Sequence, residues 1–273
     1  MNYLRIPGWE RNMKNYLLYD IRTICGRECK HFVKNKSSLF MGITQPILWF
    51  LLLGFGMNSF IGASAESNAL MGTANYITYI MPGIIVMTTM SGGLFGGAGI
   101  VNDVSSGYIN KMLSSPISRA AIILGKTAFA IVQTFFQIII VVLVSLCFGV
   151  RLPLSINSIL ALLFALAFCG QMCAIGTMIA VKLKSHQAVY SFLGTLNVPL
   201  IFTSSAFFPS ETMPIVMKVI SYVNPLTYAV NAIRDVMFGT NNNLPFNVGM
   251  LILETIILVS LSVIVFKKEY DNK

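Results

Sequence analysis

The stretch Ala120–Val150 carries one charged side chain, Lys126, and is otherwise almost wholly apolar. A run of this kind has few places to fold. A membrane helix needs about 20 predominantly apolar residues. Five further stretches qualify: Leu39–Ile61, Tyr76–Val101, Ile156–Val181, Val189–Phe208 and Phe246–Phe266. Ala120–Val150 is longer than one span requires, so its first turns are expected in the interface. Only 11% of the 273 residues are charged, against roughly 25% in soluble domains. The expected architecture is an all-α polytopic membrane protein. It has six transmembrane helices over 39–266, a leading segment 1–38 and a tail 267–273. No apolar run with a small-residue cleavage site opens the chain, so the first span is expected to target the protein and stay in place.

Basic residues orient the spans, because short loops rich in Lys and Arg stay in the cytoplasm. Of the nineteen lysines and arginines, sixteen fall before span one, around the 102–119 connection and Lys126, after span four, or at the end of the chain. Arg151, Lys218 and Arg234 are the exceptions. Both termini are therefore expected in the cytoplasm, in line with an even number of spans. Before span one, Leu17–Lys36 reads as an amphipathic helix in the headgroup plane. Leu17, Ile21, Ile24, Cys25 and Phe32 lie on one face, and Arg22, Arg27, Lys30 and Lys34 on the other. Glu28 falls within the apolar face, where it would either meet a basic partner on another protein or reach water from a helix end.

Gly125-Lys126-Thr127 has the tail of a phosphate-binding loop. That motif needs an earlier glycine, here replaced by Ala120, and a strand before it. The preceding residues form a Ser/Pro loop, so no ATP site is expected on this chain. Asn102–Gly107 has a cap-and-turn composition. Tyr108–Leu113 has room for one or two helical turns, with Tyr108, Ile109, Met112 and Leu113 as apolar anchors. Ser118 is placed to cap the next helix. The loop is either a docking nub for a partner groove or an ordinary connection.

Other chemistries find little support. Cys25, Cys29, Cys147, Cys169 and Cys173, with His31, do not make up the roughly four ligands of a zinc site, so reduced thiols and no metal are expected. His31 and His186 lie far apart, with no nucleophile or metal-ligand constellation around them. A passive channel would leave the loop unexplained. No nucleic-acid partner is expected.

Within the membrane, Gly92/Gly96 and Gly93/Gly97 form two overlapping G-x-x-x-G pairs that allow close helix approach. They either pack helices or thin the wall of a substrate path. In 209–238, Met213–Val223 and Leu226–Asp235 are each about 10 residues and so about 15 Å long, half the hydrocarbon thickness. Asn224-Pro225 separates them. A helix–break–helix dipping in from the outer face fits, because irregular backbone at depth must be buried in protein. A surface hairpin is the alternative. Glu254 is the one acid well inside a span. Such a charge costs about 2.5–3.5 kcal/mol on insertion scales and calls for a partner or water. Lys126, Arg151 and Arg234 are candidate partners, and a position near the outer interface or a proton or substrate role are the other readings.

The whole pattern resembles the membrane subunit of ABC transporters of the ABC-2 type. The first cytoplasmic loop of that family carries an acid, a glycine, a Leu-Leu-like pair, Ser-Pro and Arg. Here these match Asp103, Gly107, Met112-Leu113, Ser115-Pro116 and Arg119, followed by Gly125-Lys126. A second match runs through Phe207-Phe208-Pro209, Met213-Pro214, Asn224-Pro225-Leu226-Thr227-Tyr228 and Arg234. Gln45-Pro46 and Met81-Pro82-Gly83 agree in the first half. Val104-Ser105-Ser106 stands where the family often has a second acid, so polar contacts to an ATPase would differ.

The resemblance implies an exporter permease in the cytoplasmic membrane of a prokaryote, built from two such chains and two separate ATPase chains that hold ATP and Mg. It implies ATPase coupling through Asp103, Gly107, Tyr108, Ile109, Met112, Leu113, Pro116 and Arg119. It also implies re-entrant helices over 209–238 at the extracellular exit. The residues proposed along the pathway and exit are Asn197, Thr203, Ser204, Ser205, Phe207, Phe208, Asn224, Pro225 and Tyr228, together with Tyr190 and Phe192. The early Gln45-Pro46 and the loop look closer to the drug- and lipid-exporting branch, which implies a hydrophobic or amphipathic substrate. Polysaccharide export is the alternative. Membrane lipid is the remaining partner.

Overall fold

The computed structural model describes residues 13–61, 76–115, 117–147, 156–207, 213–239 and 243–271. The described residues form helices and turns, with no strand among them. In order they are α1 (Met13–Lys34), α2 (Lys36–Ile61), α3 (Tyr76–Ala98), α4 (Ile100–Ser105), α5 (Tyr108–Ser114) and α6 (Arg119–Cys147). Then follow α7 (Ile156–Leu183), α8 (His186–Phe202), α9 (Ile215–Val223), α10 (Pro225–Phe238) and α11 (Leu244–Asp271). Among the described residues, four stretches are long and apolar enough to cross a membrane: Ile77–Ser105, Arg119–Cys147, Ile156–Leu183 and Leu244–Tyr270. A shorter apolar stretch, Phe40–Gly54, lies in α2.

α3 is the central post, and its glycines explain why. A Cβ on Gly93 would lie 2.5 Å from the Cys169 carbonyl oxygen, and one on Gly97 would strike the Cys173 carbonyl. Gly176 of α7 reciprocates against the Leu94 carbonyl. Gly92 and Gly96 turn the other way, against Thr134 and Ala130 of α6. The overlapping pairs thus seat two different helices, as close backbone approach requires. The most apolar window of Ile77–Ser105 is 72% buried, whereas that of Leu244–Tyr270 is only 11% buried. The last helix is left mostly to its surroundings.

Three expectations change. First, α1 does not give its apolar face to lipid alone. Ile24 is buried, Gly125 of α6 admits it without a side chain of its own, and Phe32 meets Phe129 edge-on at 5.9 Å. Arg22, Lys30 and Lys34 remain exposed. Second, the fifth apolar stretch is not helical to Phe208: α8 ends at Phe202, and a buried turn follows through Phe207. Asn224 stabilises that end, its Nδ2 donating to the Leu200 carbonyl at 2.7 Å and to Thr203 Oγ1 at 3.1 Å. Its Oδ1 meanwhile accepts from the Leu226 N–H at 3.0 Å, capping α10 behind Pro225. One asparagine therefore closes one helix and opens another. Third, Glu28 meets its basic partner inside this chain, as described below.

Candidate functional site

At the end of the bundle formed by α1, α4 and α5, four charges gather from three elements. Lys126 of α6, only 3% exposed, sits 2.7 Å from Asp103 Oδ2 and 3.0 Å from Glu28 Oε1. Arg27 donates to both oxygens of Asp103, at 3.1 and 3.2 Å, and also to Glu28. Its guanidinium lies over the Tyr108 ring, 4.3 Å from the centroid. Two cations and two carboxylates cancel, and each buried charge has partners, the condition under which burial is tolerable. Burial pushes the Glu28 carboxyl upward, but Lys126 and Arg27 outweigh it and hold the group below the usual carboxylate range. Lys126 is thus an ion-pair centre at the foot of α6, and it does not reach Glu254.

The loop between α3 and α6 rests on this cluster. Gly107, at φ 69°, makes the left-handed step from α4 to α5, a conformation that suits glycine. Ser118 Oγ accepts from the Ala121 N–H at 3.1 Å and caps α6 as expected. The apolar nub is not offered outward. Ile109 and Met112 are buried in the chain's own core and Leu113 packs partly against it. Helical spacing puts these three on one face, and that face finds cover at home. Asp103 likewise points inward. The outward side consists of Tyr108, Asn110, Lys111, Ser114 and Ser115. Arg119 is half-buried. Pro116 lies outside the described residues.

A cavity of about 950 Å³ begins at the charge cluster and runs between α1, α2, α3, α6 and α8. Asn197 and Tyr190 line it, Asn197 Nδ2 donating to Ser91 Oγ at 3.4 Å and Tyr190 stacking on Phe95 at 6.0 Å. Gln45, Gln133, Gln137 and Trp49 also line it. None of the four was among the expected pathway residues, although Gln133 and Gln137 stand one turn apart on a largely apolar helix, a legible signal. Gly92, Gly96 and Gly99 contribute to the wall as well, so the first glycine pair serves both packing and cavity shape.

The other described pathway candidates do not line this cavity. Ser204, Ser205 and Phe207 are buried. Ser205 Oγ donates to Asn231 Oδ1 at 2.8 Å, and Phe207 stacks against Trp49 at 6.3 Å. Gly83 lets the Ala206 carbonyl approach α3. Arg234, also buried, donates to the Ser205 carbonyl at 3.0 Å and covers the Tyr79 ring at 4.0 Å, so it too leaves Glu254 alone. Tyr228 donates to the Tyr222 carbonyl, and Thr203 is half-buried at the end of α8. Phe192 is exposed on α8. Phe208 and Arg151 lie outside the described residues. All five cysteines are free thiols.

An apolar helical bundle around an amide- and aromatic-lined cavity, closed at one end by compensated charge, is built as a membrane permease. The chain belongs to the ABC-2 type transporter family, whose pattern matches residues 19–238. It is 28% identical over 244 residues to the putative transport permease ycf38 of Cyanophora paradoxa, covering 85% of this chain and 82% of that one. To ycf38 of Porphyra purpurea it is 30% identical, over 83% of this chain and 77% of the relative. To the daunorubicin resistance ABC transporter permease protein DrrB1 of Streptomyces coeruleorubidus it is 23% identical, over 85% and 78%. The chain is a multi-pass permease subunit of an ABC exporter, a family whose permeases pair with ATPase subunits on separate chains.

Proposed function

We propose that this permease exports a hydrophobic or amphipathic substrate across the plasma membrane of a prokaryote, as two copies paired with two ATPase chains that carry ATP and Mg. Six spans, α2, α3, α6, α7, α8 and α11, cross with both termini in the cytoplasm, and α9–α10 dip in from the outer face. The observation that carries the reading is the continuity of the charge cluster with the cavity. The loop that would meet the ATPase, the amphipathic helix and the foot of α6 are bonded to one another where the cavity begins. A push on α4–α5 would move α1 and α6 together. The name of the daunorubicin resistance relative supports a drug as the substrate. The carboxamides of Gln45, Gln133 and Gln137 beside Trp49 favour a second reading, a saccharide-bearing substrate, since amides and aromatic faces suit hydroxyl-rich surfaces.

The test is co-purification with the ATPase subunit and substrate-stimulated ATP hydrolysis in lipid. Tyr108→Asp, on the outward side of α5, is expected to leave the chain inserted while reducing ATPase capture and abolishing stimulation. Wild-type capture and stimulation would make the loop an ordinary connector. Single cysteines at Ser115 and Ser210 on a cysteine-free background are expected to label from opposite sides.

A further inference from the structure

Glu254 and Gln171 meet where no ion pair is available. Glu254 stands twelve residues before Phe266, the last apolar residue ahead of Lys267, and Gln171 stands twelve residues before Leu183, the end of α7. At 1.5 Å per residue both lie about 18 Å along their helices, near the middle of a hydrocarbon layer about 30 Å thick. Gln171 is fully buried. Its Nε2 donates to Glu254 Oε2 at 2.9 Å. Two things are then left over. No lysine or arginine among the described residues pairs with the Glu254 carboxyl, whose hydrogen-bond partner is the Gln171 amide. The second leftover is Gln171 Oε1, buried with no hydrogen-bond donor.

One proton resolves both. A carboxylate at this depth has an amide N–H but no cation, and a carbonyl oxygen in a dry core has an acceptor site and no donor. Both are costly arrangements that native proteins avoid. A neutral carboxylic acid keeps Oε2 as the acceptor for the Gln171 N–H and offers its other oxygen as an O–H donor. We propose that Glu254 binds a proton and forms a reciprocal acid–amide pair with Gln171, its O–H donating to Gln171 Oε1. The pair is a proton-binding site that fastens α11, otherwise weakly buried, to the core helix α7.

The pair predicts an uncommon pattern of variants. Glu254→Gln retains one donor and one acceptor toward Gln171 and is expected to keep the thermal midpoint and export of the permease–ATPase complex. Glu254→Ala leaves the buried Gln171 amide alone, Gln171→Leu leaves the half-buried Glu254 carboxyl alone, and each is expected to lower the midpoint. The direct readout is the infrared difference spectrum, wild type minus E254Q, of the complex in lipid at neutral pH. A protonated-carboxyl C=O band is expected, and Q171L should shift it to the higher frequency of an unbonded acid. A difference spectrum containing only carboxylate bands would overturn the proton. A band unmoved in Q171L, or E254Q as unstable as E254A, would overturn the pairing.

Discussion

Acids in two regions of this protein reach electrical neutrality by different routes. Glu28 and Asp103, at the loop end of the bundle, are matched by Arg27 and Lys126. Glu254, near the middle of α11, meets an amide and no cation among the described residues. The difference follows from position. At the end of a span, long basic side chains approach from α1 and from the first turns of α6 while their backbones stay near the interface. Halfway across, bringing in a cation would bury a second charge, which is expensive, and a proton is the smaller substitute. The cluster also joins three separate elements, whereas the acid–amide contact joins two. A perturbation of the first should therefore be felt in coupling, and of the second in the seating of one helix.

The largest effect is expected from Lys126→Met. It strands two carboxylates with one half-exposed guanidinium, and breaking a buried pair costs about 3–5 kcal/mol. A lowered thermal midpoint of the purified complex and loss of export should follow. The double change Lys126→Met with Asp103→Asn, which restores the charge balance, should recover much of the loss. Equal effects in the single and double variants would break the charge argument and leave only packing.

Acid comes next, and it separates the two regions, because one should respond to it and the other should not. The carboxyl of Glu28 titrates below its unfolded value in the folded chain. Its contribution is therefore present above the ordinary carboxylate range and is lost as pH falls through the depressed folded value. Acidification should loosen α1 from α6, read as faster cleavage within 13–34 by added protease. The acid–amide pair already holds its proton, so the same acid should leave the α7–α11 contact intact, read as an unchanged cross-link between cysteines placed across that interface. Loosening at both places together would mean that the two sites are not independent.

Tyr108→Ala should cost less, about 0.5–1 kcal/mol, the usual value of a cation–π contact at an exposed site. Arg27 keeps its two bonds to Asp103 in that variant, so the thermal midpoint should fall only slightly. A fall as large as that of Lys126→Met would make Tyr108 part of the brace rather than its cover. The smallest effect of all belongs to Glu254→Gln, set against Glu28→Gln. Exchanging the neutral carboxyl of the first for an amide should change nothing in thermal stability, and removing the charge of the second should weaken the cluster. If the ranking reverses, the contrast between ion pair and proton fails.

Much of this molecule is legible in its sequence. Apolar runs longer than a span can come only from helices that hide their backbone bonds, so α3, α6, α7 and α11 were readable from length and hydropathy. Caps are local chemistry, which is why Ser118 and the Asn224-Pro225 break were visible as such. The glycines of α3 announced close packing. What the residues could not disclose was direction. A G-x-x-x-G pair looks the same whichever helix it receives, and only the fold assigned Gly93 and Gly97 to α7 and Gly92 and Gly96 to α6. The anchors Ile109 and Met112 had the right spacing for a docking face, and tertiary packing turned that face into the chain's own core.

Charge pairing was the least legible, because partners 98 or 83 residues apart in sequence leave no local trace. In sequence Lys126 sits in the tail of a failed phosphate-loop motif and is a candidate partner for Glu254. The folded chain gave it to Glu28 and Asp103, because α1 lies across the foot of α6 and brings an acid within 3.0 Å. Hydropathy is a property of each residue and its neighbours in sequence. The choice of partner depends on which helix faces are brought together, and that is settled only when the bundle closes.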